Sequence, residues 1–459
     1  MRKSRWRMSL LIASIGIVVS MLASVSLFNS SAAVQNKFAS EGRSITPAGS
    51  LVMDTTTRRP AVGALPVDFV RSPDKSGPEG RGRYLIAVNS GFGVQFNSQT
   101  NRAQQSLAVI DLNARPPAVI QNLYFPAPQS VCVGVAFAER AEQDGTFALY
   151  ASGGFENKIW VFQFRPGTAN PITPGSRGPN TKVEAPFIDV TAFATSANST
   201  RYNDNLAPVY PMGLALSPDG DTLYIANNLG DSLGIVSNIR NERRLTRVDL
   251  RRPDSEQFLY PYGVVALAGR GSSEASKVYV SCWGDASIAV VDPRKPNQPS
   301  ARIQVDRHPT AMIFNADGAR LFVVNSDADS VSVIDTASDR EIERINVKLT
   351  ETSKIGSSPE SLALSADGAT LYVANAHANS VAVVALSSRA RGGAVEKEKN
   401  EWRDDADRSK VRGFIPTGQY PSAIAVVNRT LFVGNGKGTG FESSSVVVDN
   451  SGFVPNMPN

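Results

Sequence analysis

Leu321-Phe-Val-Val-Asn325 followed by Ser330-Val-Ser-Val-Ile-Asp335, with Asn315-Ala-Asp-Gly318 just before them, is the stretch that decides the fold. Two β-branched and aromatic runs stand a few residues apart, and an Asp-Gly pair supplies the positive φ of a tight hairpin ahead of them. Upstream, Pro309 to Phe314 reads as a further strand, opened by a proline that cannot donate to a ladder and so suits a strand's first residue. Downstream, Glu341 to Val347 is a fourth.

The same unit recurs along the chain. Leu223–Asn227 (LYIAN), Val278–Cys282 (VYVSC), Leu371–Asn375 (LYVAN) and Leu431–Asn435 (LFVGN) repeat the pentapeptide, and Leu85–Asn89 and Leu149–Gly153 are weaker copies. Their starts are spaced 64, 74, 55, 43, 50 and 60 residues. The shortest spacing is that of one four-stranded propeller blade, and the longer ones imply loop insertions. Ser232, Ser287, Ser330 and Ser380 each open a second apolar run five residues after a pentapeptide, and Lys158 keeps that offset in the second copy. Met-Gly-Leu-Ala-Leu after Pro211 runs into Ser217-Pro-Asp-Gly220, and Pro359 to Leu364 into Ser365-Ala-Asp-Gly368. The expected fold is all-β: a seven-bladed β-propeller of four-stranded antiparallel blades. Arg58 to Pro66 reads as an outer strand plus the opening proline of the next blade. An amino-terminal strand is therefore expected to complete the last blade, with Ser445 to Asp449 as its third strand. Closure matters because a gap would expose sheet edges.

Composition narrows function. Two cysteines, Cys132 and Cys282, fall in different repeats and are expected to stay unpaired. Two histidines, His308 and His377, supply a histidine-ligated metal enzyme or a Ser-His-Asp hydrolase poorly. The net charge of +5 is mostly local: Arg2, Lys3, Arg5 and Arg7 hold +4 of it within residues 1–33, which contain no acid. The remainder is close to neutral, which argues against a nucleic-acid partner. That same segment has a basic start, an uncharged apolar stretch over Met8 to Phe28 and small residues at Ser31-Ala32-Ala33. It reads as an export signal over 1–33, with the propeller over 34–459 and a periplasmic or extracellular destination. The alternative is an uncleaved anchor, since about 20 apolar residues span a bilayer.

The alternation of SPDG-type turns with LYVAN and SVSVID strands resembles the YVTN-repeat, YncE-like and lactonase-like propeller family. More closely, Ile45-Thr-Pro-Ala-Gly49 and Gly434-Asn-Gly-Lys-Gly438 resemble the propeller half of bacterial bifunctional proteins in which an alkaline-phosphatase-like phosphoesterase domain follows. The resemblance implies a binding or scaffold module, non-catalytic alone, whose phosphoesterase partner would lie outside this chain as a truncated or split product. It also implies a second reading, a lactonase-like hydrolase at the channel mouth. For that reading Glu360, beside Pro359, is the one carboxylate suitably placed for acid–base work.

Propeller geometry places two sets of residues near one end of the channel. Tyr210, Tyr260, His308 and Tyr420 each precede a strand-opening proline. Asn228, Asp231, Trp283, Asp285, Asp327, Asp329, His377 and Asn379 follow the pentapeptides. Aromatics ringed by carboxylates and amides suit a small polar ligand or a protein partner. The competing reading is that Asp and Asn serve tight turns and Tyr packs on Pro. Neither a cofactor nor a metal is expected. Gly434, Gly436, Gly438 and Gly440 with Lys437 lack the P-loop spacing and the following helix. The insertions Arg165 to Leu206 and Ser387 to Lys410 read as surface loops or docking segments.

Overall fold

The computed structural model describes residues 44–45, 65–91, 105–175 apart from 127, 181–195, 209–252, 255, 257–269, 274–298, 300–350, 352–392 and 407–436. Six sheets carry a full blade each and a seventh shows its two inner strands. The unit around Leu321 is blade 5, with antiparallel strands Pro309–Phe314, Arg320–Asn325, Ser330–Asp335 and Arg340–Asn346. The prolines open the inner strands as expected, and Gly220, Gly318 and Gly368 take the positive φ that the Asp-Gly turns demand.

The core is seven separate clusters, one per blade interface, with no common centre. Alternation along a strand explains this, because successive side chains point to opposite faces of the sheet. In blade 5, Leu321 and Val323 pack towards blade 4, against Tyr279 and Ile288. Phe322 and Val324 pack towards blade 6, against Leu371 and Val373. The other blade pairs repeat the arrangement. Blade 7 (Pro421–Val427 and Thr430–Asn435) completes the ring, with Ile424 packed on blade 6 and Val427 on blade 1. Ser422 Oγ donates to Pro66 O and the Ile424 N–H donates to Ser361 Oγ across these last two interfaces.

Two expectations fall partly or wholly elsewhere. Arg58 to Ala64 and Ser445 to Asp449 lie outside the described residues. The described amino-terminal strand, Ser44–Ile45, runs parallel to the outer strand Lys410–Pro416 of blade 6. The Arg165 to Leu206 insertion is more than a loop. Ile172–Thr173 and Phe187–Asp189 pair in succession with Lys158–Phe164 and together stand as the outer strand of blade 2. Gln121 holds this segment by gripping both the N–H and the carbonyl of Ile172, and Gln129 does the same for Val183. Both cysteines are free and buried.

A recurring polar contact ties one blade to the next. The residue before each strand-opening proline is left-handed: Leu65, Tyr210, Tyr260, His308, Ser358 and Tyr420 have φ of 52°, 50°, 47°, 55°, 49° and 59°. For non-glycine residues this conformation costs about 1–3 kcal/mol and persists only where the surroundings hold it. The holding group comes from the preceding blade. It stands at the entry to that blade's third strand, and in most blades it is the left-handed residue just before it. Asn157 Oδ1 accepts the N–H of Tyr210 (3.0 Å), and Asp231 Oδ1 those of Leu259 (2.9 Å) and Tyr260 (3.2 Å). Asn379 Oδ1 accepts from Tyr420 (2.9 Å), and Gln105 Oε1 from Val131 at the start of blade 2 (2.9 Å). Asp329 accepts three, from Gly356, Ser357 and Ser358.

Asp329 is fully buried, so Asp329→Ala would strand three amides. A stranded buried donor costs about 1–3 kcal/mol, so urea unfolding should show a loss of about 3 kcal/mol or more. The exposed neighbour Asp327→Ala should stay within about 0.5 kcal/mol of wild type.

Candidate functional site

The latch contacts sort the candidate residues. Asp231, Asp329 and Asn379 are committed to backbone amides of the following blade. Asn228 Nδ2 donates to Pro261 O at 3.0 Å, again across blades. Asp285 accepts from Ser287 Oγ at 2.8 Å and so stabilises its own turn. These five match the turn-and-packing reading rather than open ligand groups.

The others gather in three places. Between blades 4 and 5, Trp283 stacks on His308 with ring centroids 3.6 Å apart and planes at 10°, and Tyr260 meets Trp283 edge-on at 6.0 Å. His308 Nδ1 lies 2.7 Å from Asp327 Oδ2. Trp283 is 37 % exposed, large for an indole and unlike the buried Trp160. Near blades 6 and 7, His377 packs against Tyr420 at 5.5 Å, and Tyr420 hydrogen-bonds Glu360. Between blades 2 and 3, Tyr210 meets Cys132, whose Sγ lies 3.0 Å from Met212 Sδ.

Glu360 joins these groups to the channel. It is the residue after the proline that opens the innermost strand of blade 6, and Ser358 Oγ donates to its Oε1 at 3.0 Å. Desolvation pushes its carboxyl up to about 7. The Asp327 charge adds to the rise, while the hydrogen bonds from Ser358 and Tyr420 oppose it. At neutral pH such a group exchanges protons readily.

Two channel residues escape a reading of motifs alone. Tyr262 holds the same position after Pro261 in blade 4. It is brought close to its neighbours because Gly213 and Gly263 let the inner strands approach backbone to backbone. A Cβ on Gly213 would lie 2.6 Å from Tyr262 O, and one on Gly263 2.7 Å from Thr310 O. Burial first, then the charges of Glu360, Cys132, Asp68 and Tyr420, hold the Tyr262 phenol far above its ordinary value. Groups from blades 1, 2, 4, 6 and 7 thus act on one another across the channel. Asp68, just after Pro66, is pushed up to about 6 by desolvation, partly offset by the Phe69 N–H. Burial pushes Cys132 up to about 11 and Tyr420 to about 12. Every one of these groups except Asp68 and Glu360 stays protonated at neutral pH. The available signal was position: Asp68, Tyr262 and Glu360 all stand within two residues of a strand-opening proline. Among the described residues, no three His, Cys, Asp or Glu side chains are grouped to hold a metal ion, and no helix is long and apolar enough to cross a membrane.

The inner strands of this propeller converge on a channel that carries acids and phenols. A model of the family described as "Lactonase, 7-bladed beta-propeller" matches residues 297–412, about a quarter of the chain. Among solved structures, the periplasmic gluconolactonase PpgL of Pseudomonas aeruginosa is similar at 15 % identity and a TM-score of 0.52, covering 80 % of this chain and 88 % of that one. A putative 6-phosphogluconolactonase of Bacteroides fragilis is similar at 14 % identity and a TM-score of 0.50, covering 77 % and 88 %. At such identities the likeness is one of fold. No curated protein matches the sequence significantly.

The Glu360 titration is directly testable. An acid raised in the folded state favours the neutral form, so the fold is penalised as pH climbs from the ordinary value of 4.5 through about 7. The stability of Glu360→Gln relative to wild type should therefore rise across that window. The carbon resonance of the Glu360 carboxyl should titrate near 7, moving higher in Tyr420→Phe and lower in Asp327→Asn.

Proposed function

We propose that this protein is a lactonase-like hydrolase that opens small cyclic esters at the channel mouth. The observation that carries the reading is Glu360, a carboxyl poised near neutrality and hydrogen-bonded by Ser358 and Tyr420. Ionised Glu360 takes a proton from water as the water oxygen bonds to the ester carbon. Charge then builds on the carbonyl oxygen, where Tyr262, kept protonated by its surroundings, is the donor available to meet it. Collapse breaks the ring C–O bond, and the proton held by Glu360 passes to the leaving alkoxide. The lactonase family match and the fold of the two gluconolactonase structures support ester chemistry as the class.

General-base loss typically costs about 10²–10⁴-fold, so Glu360→Gln should lose at least about 100-fold in kcat on a panel of sugar and aliphatic lactones. The wild-type rate should rise with pH to a plateau, with its midpoint near the Glu360 value. Undiminished turnover in Glu360→Gln, or no turnover by the wild type on any lactone, removes the proposal.

A second reading is a binding or scaffold module without catalysis, favoured by the exposed Trp283–His308 stack. Saturable lactone binding without turnover would support it. Its association with a phosphoesterase rests on the sequence resemblance. Residues 1–33 are proposed to direct export. Amino-terminal sequencing of the exported protein should start at Val34, and a start at Met1 would show an uncleaved anchor.

A further inference from the structure

Of the six blade junctions at which the residue in the latch position is described, five carry the latch. Gln105, Asn157, Asp231, Asp329 and Asn379 each place a side-chain oxygen on the amide at the start of the next blade. In blade 4 the equivalent residue is Ala286. Its backbone is unchanged: φ is 48°, and its carbonyl accepts from Val305 N–H at 3.0 Å. The carbonyls of Asp231, Asp329 and Asn379 likewise accept from Leu250, Val347 and Thr417. Only the side chain is missing.

The amide that it would hold belongs to His308. His308 has the same strained φ, 55°, as its counterparts. Its N–H finds no acceptor among the described residues, whereas the N–H groups of Tyr210, Tyr260, Ser358 and Tyr420 all do. Asp306 Oδ1 caps the neighbouring Arg307 N–H at 3.1 Å and leaves His308 unmet. His308 is partly exposed, so this unpaired donor is open to an acceptor from outside the chain. The opening is reachable: Ala286 is partly exposed, and the exposed Trp283 lies against the His308 ring. The junction itself does not depend on a mouth latch. At its other end Asp339 binds both Lys277 Nζ and Tyr279 OH, each at 2.7 Å.

We propose that the mouth of the blade 4–blade 5 junction is a binding subsite for a neutral carbonyl or carboxamide oxygen of a ligand, which bonds the His308 N–H where the other junctions use a side-chain oxygen. Trp283 provides the adjoining apolar surface. Neutrality follows from the groups that face the site. The Asp327 carboxylate lies against His308 Nδ1, Asp306 is paired with Arg344 at 3.4 Å, and the Arg307 guanidinium is drawn onto Asp327 O at 3.2 Å. An anion would meet the Asp327 carboxylate with no arginine side chain paired to it, whereas an uncharged oxygen would meet no such repulsion. The Asp327 charge is also felt by Glu360. The subsite stands whether or not Glu360 does chemistry.

Acetamide, the side chain of the missing asparagine, is the probe. Titrated into the intact chain, it should shift the His308 amide and Trp283 indole NMR signals saturably, with acetate at least about tenfold weaker. Ala286→Asn, whose residue tolerates a left-handed φ, should restore the latch, raise Tm and abolish the acetamide shift. Ala286→Gly should keep the shift, as should Glu360→Gln, which separates this test from that of the hydrolase. An unsaturable wild-type response, acetate binding as tightly as acetamide, or an acetamide shift that survives in folded Ala286→Asn would overturn the proposal.

Discussion

The structure depends on backbone amides that a strained turn turns outward and a neighbouring blade must satisfy. Six of the seven inner strands start behind a left-handed residue followed by proline. Proline contributes no donor of its own, and the residue before it presents its N–H towards the preceding blade. At four of these turns a carboxylate or amide oxygen from that blade meets it. The contact fixes where each inner strand enters the channel, and so where the side chains after proline point. Glu360 and Tyr262 face their partners because the register of entry is set from outside their own blades.

Hydrophobic packing alone would leave that register loose. The seven clusters are built from Val, Ile, Leu and Phe of similar size, and a sheet could slide within them at modest cost. The latches and the glycine contacts of Gly213 and Gly263 restrict the slide by demanding particular atoms at particular distances. Polar specificity at the mouth and apolar bulk between the blades thus divide the labour of holding the ring.

Much of the fold was legible because its signals are periodic. The LFVVN and SVSVID runs, the Asp-Gly turns and the opening prolines recur at set offsets, and the structure places strands at each. The site was less legible. Asp231, Asp329 and Asn379 look like ligand groups in sequence, because a turn motif does not disclose that its side chain reaches an amide in the next blade. Asp68 and Tyr262 were invisible for the opposite reason. They follow the prolines in an unremarkable way, and only convergence of separate blades on one channel makes them neighbours. The segment around Ile172 read as an insertion because its strand character comes from Gln121 and Gln129, far away in sequence, rather than from its own residues.

The bond from Ser422 Oγ to Pro66 O joins residues 356 apart in the chain, and this has kinetic weight. Closing a loop of that length costs about 5 kcal/mol in chain entropy, scaling as (3/2)RT ln n. Six blades can form on contacts between sequence neighbours before that cost is met. The seventh must wait until both of its flanking faces exist, so closure is a late event in folding. Once made, it can be undone only by parting two interfaces together. Slow opening of this kind would lengthen the lifetime of the folded ring well beyond what its equilibrium stability alone implies.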